Sequence, residues 1–112
     1  MNYLMTWRFL EGNDPHSDAF ISLTADLISP PSALESWVGF SGRYTDGYSQ
    51  AEASVSLSRD EDGRLVLSGD NDFGPYIVRG PKVLAEGEHV VLDHATKGFS
   101  YEYEITQVKP LK

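Results

Sequence analysis

Apolar and polar residues alternate with a period of two along most of this chain, the pattern of strands that bury one face. Tyr3, Met5, Trp7 and Phe9 share one parity in a first run from Tyr3 to Leu10, and Glu11-Gly12-Asn13-Asp14-Pro15 ends it as a turn. Ala19, Ile21, Leu23, Ala25 and Leu27 repeat the pattern against Phe20, Ser22, Thr24 and Asp26. Ser29, Pro30 and Pro31 break this second strand. Ser32 followed by Glu35 has capping-box spacing, which predicts one helical turn through Ala33 to Ser36. A third strand is predicted from Trp37 to Tyr44, before a turn at Asp46-Gly47.

The clearest alternation is Ala51, Ala53, Val55 and Leu57 against Glu52, Ser54, Ser56 and Ser58. Asp60-Glu61-Asp62-Gly63 follows as a hairpin loop, and Arg64 to Gly69 returns with Leu65 and Leu67 on one face. Further strands are predicted at Tyr76–Gly80, Glu88–His94 and Phe99–Lys109. In the last of these, Phe99, Tyr101, Tyr103 and Ile105 face one way and Ser100, Glu102, Glu104 and Thr106 the other. The expected fold is all-β: one domain over residues 1–112, an antiparallel meander of about eight strands forming a small barrel. A two-sheet β-sandwich is the alternative, because both architectures share the same periodicity.

Length and charge narrow the function. The 112 residues suffice for one core, and no cysteine is present to form a disulfide or a thiolate metal site. Seventeen acidic residues against nine basic ones leave a net charge of −8, which argues against nucleic acid and anionic membrane surfaces. The same charge favours a basic protein partner. The chain opens without a basic stretch and apolar run, and no apolar segment approaches the ~20 residues of a membrane span. A cytoplasmic, bacterial-type location is the expectation.

From Phe40 onward the chain has a further rhythm. Phe40-Ser41-Gly42-Arg43-Tyr44 is followed by the alternating strand, by Asp60-Glu61-Asp62-Gly63, and by Ser68-Gly69-Asp70-Asn71-Asp72-Phe73-Gly74-Pro75-Tyr76-Ile77-Val78-Arg79-Gly80. Over roughly residues 37–105 this resembles small uncharacterised bacterial β-barrel domains of avidin- or lipocalin-like appearance. The resemblance implies a barrel that holds a ligand in its mouth. It carries no catalytic residue.

The chemistry-bearing residues form no catalytic constellation. His89 and His94 are five residues apart on one predicted strand, so they face opposite sides, and His16 lies in a distant polar stretch; no metal or cofactor is expected. Asp70-Asn71-Asp72 is rich in oxygen but lacks calcium-loop spacing and reads as a turn. No serine sits in a nucleophile elbow, and no phosphate loop occurs. A carboxylate-based hydrolase using Asp70 or Asp72 ranks last among the functions considered. The remaining signal is aromatic. Most rings build the core, while Trp37 and Tyr48, flanking the third strand, are candidates for contact with a partner. A ligand pocket is expected among Tyr44, Tyr76, His94 and Tyr101. The leading function is a non-catalytic binding domain for a small molecule or a protein. The alternative is an acidic inhibitor or immunity-type protein that neutralises a basic toxin or nuclease.

Overall fold

The computed structural model describes residues 2–10, 19–27, 33–46 and 51–111. The strands are β1 (Asn2–Leu10), β2 (Ala19–Asp26), β3 (Ser41–Asp46), β4 (Ala51–Arg59), β5 (Leu65–Gly69), β6 (Tyr76–Arg79), β7 (His89–His94) and β8 (Ser100–Pro110). Each pairs antiparallel with its sequence neighbour, and β8 closes on β1, giving an eight-stranded barrel. That last pairing decides between barrel and sandwich. It joins Tyr3 to Pro110 and Leu10 to Glu102, the two ends of the chain.

The alternating residues point where periodicity predicts. Met5, Trp7, Ile21, Leu23, Val55, Leu57, Leu67, Val90, Leu92 and Ile105 are almost fully buried inside the barrel. Their partners in sequence, such as Thr24, Ser54, Ser56 and Ser58, are exposed. One irregularity breaks the parity of β8. Trp7 pairs with Ile105 but Thr6 with Gln107, so Thr106 is an extra residue and the inward set changes from Ile105 to Val108.

The third strand begins later than predicted. Leu34–Trp37 forms a 3-10 turn, and β3 runs Ser41–Asp46 in place of Trp37–Tyr44. The turn is bound by Ser36 N–H to the Ala33 carbonyl and has no side-chain cap; Ser32, the expected cap, lies outside the described residues. Leu34 and Trp37 face inward from it and are buried. This turn closes one end of the barrel, tied to β4 by Gly39 N–H to the Leu57 carbonyl and by Leu57 N–H to the Phe40 carbonyl. The indole N–H groups of Trp7 and Trp37 are buried without an acceptor. Each orphaned donor costs about 1–3 kcal/mol. Burying the ring offsets a cost of that size, because each aromatic removes about 150–250 Å² from water at roughly 25 cal/mol per Å².

Two turns follow their residue chemistry. At the predicted Asp60–Gly63 hairpin, the Asp60 carboxylate accepts from the N–H groups of Asp62 and Arg64 and from the Arg64 guanidinium. Gly63 takes the left-handed conformation there, with φ +79°. In β3, Gly42 permits a close crossing: a Cβ there would overlap the carbonyl of Ser22 on β2. The predicted turns at 11–15, 29–31 and 46–47 fall wholly or partly outside the described residues. No helix among the described residues is long and apolar enough to cross a membrane.

Candidate functional site

Leu10, Ala19, Asp46, Ala51, Gly69, Tyr76, His94 and Ser100 end or begin their strands at the barrel end opposite Trp37. A cavity of about 610 Å³ lies there. That is within the roughly 300–1,000 Å³ typical of small-molecule sites. The cavity lies where the inward positions at this end carry large rings around the wall, with small Ala19 and Ala53 among them.

Four tyrosines line it: Tyr44 from β3, Tyr76 from β6, and Tyr101 and Tyr103 from β8. Phe9 and Phe73 complete its aromatic surface. The rings form a connected array. Tyr44 and Phe73 have centroids 4.9 Å apart, Phe73 and Tyr76 5.1 Å, and Tyr76 and Tyr101 6.1 Å. Phe9 meets Tyr101 edge-on at 5.6 Å and Tyr103 at 5.4 Å. Edge-to-face and tilted contacts of this kind hold each ring against the next and fix the shape of the wall.

Phe73 owes its place to the turn before it. Asn71 and Asp72 both have positive φ, 53° and 63°, and Phe73 N–H donates to the Asp70 carbonyl, closing a tight turn of the primed type. Asn and Asp tolerate this conformation better than other residues with a Cβ. The turn is pinned to β4: Ser54 N–H donates to the Asp70 carboxylate at 2.8 Å, and the Asn71 amide donates to the Glu52 carbonyl at 2.9 Å. The oxygen-rich Asp70-Asn71-Asp72 segment is thus a turn, as its residue types predict.

Asp46 and Asp72 bring carboxylates to the lining, Glu52 meets it at the rim, and no lysine or arginine among the described residues joins them. Glu52 is paired with Arg43 at 3.1 Å on the outer wall. The field of Asp46 reaches the ring hydroxyls. Burial, then Asp46 and Tyr101, raise the Tyr44 pKa above its ordinary value. Burial, then Tyr101 and Tyr44, do the same for Tyr76. Tyr103, 4% exposed, is pushed furthest, first by burial and then by Tyr44, Tyr76, Tyr101 and Asp46. The hydroxyl of Tyr103 makes no hydrogen bond to another described residue. The lining therefore offers ring faces, neutral hydroxyls and negative charge.

The sequence-predicted residues divide clearly. Tyr44, Tyr76 and Tyr101 meet in the cavity. His94 stands behind it, edge-on to Tyr76 at 5.2 Å and against Phe99 at 4.9 Å. Its Nδ1 accepts from the N–H groups of Thr96 and Lys97, so the ring proton belongs on Nε2. Trp37 is fully buried at the opposite end. Tyr48 lies outside the described residues. Phe9, Phe73 and Tyr103 were not anticipated. Phe9 and Tyr103 share the inward parity of their strands, which was the available signal; Phe73 had none except its place after Asn71-Asp72. His89 and His94 do face opposite sides, and no group of metal-ligating side chains occurs among the described residues.

No family model, curated protein or solved structure matches this chain. Its site is read from its own geometry.

Proposed function

We propose that this protein is a non-catalytic binding domain that takes a small molecule into the aromatic cavity at one end of its barrel. The observation that carries the reading is the cavity itself: about 610 Å³ walled by six aromatic rings. Apolar area of this kind supplies affinity, and a few polar groups orient the ligand. The resemblance to avidin- and lipocalin-like barrels points the same way, since such domains hold ligands in the barrel mouth. The neutral fluorophore N-phenyl-1-naphthylamine is a direct probe. It should bind one site per chain with enhanced emission, and Ala53→Phe, which fills the cavity, should abolish that signal while the circular dichroism stays unchanged. An unchanged signal in a folded Ala53→Phe protein would contradict the reading.

A second reading has its own support. Arg43, Arg59, Arg64 and Arg79 are each held against a carboxylate, so these cations are locally neutralised and the surface surplus is negative. An acidic inhibitor or immunity-type protein that neutralises a basic toxin or nuclease would use that surplus, with the exposed rings of Phe99 and Tyr101 as contact area. Its association rate should fall steeply with salt. A pull-down from the native cell at low and high salt, read by mass spectrometry, tests it. Retention of the same partner at both salt concentrations would argue against electrostatic recognition.

A further inference from the structure

The polarity of the cavity says more than its size. We infer that the ligand carries a positive charge: a small organic cation, an ammonium or guanidinium group on an apolar body. This rests on the cavity reading above and specifies its ligand class.

Three independent features converge. The lining is aromatic, and the negative face of an aromatic ring attracts a cation lying over it. The lining is also acidic: Asp46 and Asp72 contribute, and no basic described side chain does. Finally, Tyr103 is 4% exposed and lines the cavity, yet its hydroxyl is bonded to no other described residue. The hydroxyl oxygen is not among the buried unpartnered atoms, so it opens on the cavity and its lone pairs can accept from a ligand N–H.

Anionic ligands fit poorly. They would meet the carboxylates with no counter-charge among the described residues of the lining. A neutral apolar ligand would fill the space, but it would leave the Tyr103 hydroxyl unmet and the negative potential unused. A cation uses all three features at once. The carboxylates also differ in their freedom to act. Glu52 is engaged by Arg43 at 3.1 Å, whereas Asp72 is exposed at the mouth in the turn that carries Phe73. The negative potential of Asp46 is felt within the cavity at Tyr44 and Tyr103.

The test compares phenethylammonium with phenethyl alcohol, near-isosteric probes that differ in charge, by calorimetry at neutral pH and low salt. The cation should bind tighter by about tenfold or more, the scale of a desolvated cation–π contact with added charge attraction. Asp72→Asn should weaken the cation several-fold and leave the alcohol unchanged. Asn also accepts positive φ, so this variant keeps the turn. Asp46→Asn should do the same from inside the cavity. Equal affinity for the two probes would overturn the inference and leave the cavity reading standing. Binding of neither would overturn both.

Discussion

The two ends of this barrel are built from one alternating pattern and come out opposite in character. At one end Trp37 and Leu34 drop in from a 3-10 turn tied to Leu57, and both are buried. At the other, the inward positions of β3, β6 and β8 carry tyrosines whose hydroxyls stand around a cavity. Inward parity decides only which side of the wall a residue occupies. Whether the interior fills depends on what closes the end. An indole delivered from a loop seals it. Rings fixed to the wall by edge contacts with one another leave a space between them.

The largest contrast is expected in stability. Trp37→Ala should cost about 3–5 kcal/mol, because it empties the sealed end. Tyr101→Ala at the open end, where the ring is 37% exposed, should cost about 1 kcal/mol. Urea unfolding of both variants measures the difference, and equal losses would mean that the two ends are packed alike.

Next in size is Gly42→Ala. The β2–β3 crossing has no room for a Cβ, and the backbone would have to separate there, at about 1–3 kcal/mol. Both ends depend on that crossing, since Leu23 and Tyr44 flank it. Gly98→Ala would meet no atom within 4 Å and isolates the conformational cost of a positive-φ glycine, here +74°. A larger loss at Gly98 than at Gly42 would show that the close crossing is not what matters.

The open end should also carry an alkaline signature. The pKa of Tyr103 is raised on folding, so its contribution to stability is complete below the ordinary tyrosine pKa of about 10 and declines above it, as the unfolded chain ionises first. Melting temperature against pH should fall more steeply above pH 10 in the parent protein than in Tyr103→Phe. Below that pH, Tyr103→Phe should be neutral or slightly stabilising, because the hydroxyl it removes has no partner among the described residues. A clear destabilisation at neutral pH would reveal a hydrogen bond to the chain.

The smallest effect belongs to the wall that both ends share. Arg79 on β6 grips Asp93 on β7 through two nitrogens, at 2.6 and 3.2 Å, and Ser100 adds a third bond. Hydrogen bonds from Arg79 and then Ser100 hold the Asp93 pKa below its ordinary value. The stabilisation is present above the unfolded pKa of about 4 and is lost as pH falls through the lower folded value. Being exposed, the pair should be worth a few degrees of melting temperature at most, abolished in Asp93→Asn and screened by salt. A loss as large as that of Gly42→Ala would move the weak point of the barrel to the β6–β7 seam.

Much of the architecture was legible because it is local. The alternation from Ala51 to Leu57, the Asp60–Gly63 loop and the β8 tyrosines each declare their own strand or turn. A closed barrel was the leading expectation, but periodicity could not separate it from a sandwich, since closure depends on β1 meeting β8 across the length of the chain and no short window contains that pairing. Trp37 misled for a physical reason: Trp37, Val38 and Phe40 are residue types that favour strands, but burial of Leu34 and Trp37 together favours a tight turn. The bulge at Thr106 left no mark in composition either. In the site, Tyr44, Tyr76 and Tyr101 followed from parity and strand position. Phe73 did not, because its position is set by two consecutive left-handed residues and their anchors on β4.

The contrast between the ends can be read in one titration. Side-chain NMR of the tyrosine rings and tryptophan indoles, followed as phenethyl alcohol is added, reports both ends at once. Signals from Tyr44, Tyr76, Tyr101 and Tyr103 should move together with one saturation curve, while the Trp37 indole N–H stays in place. Movement of Trp37 to the same extent, or a set of tyrosine signals that never shifts, would contradict an open aromatic end above a sealed one.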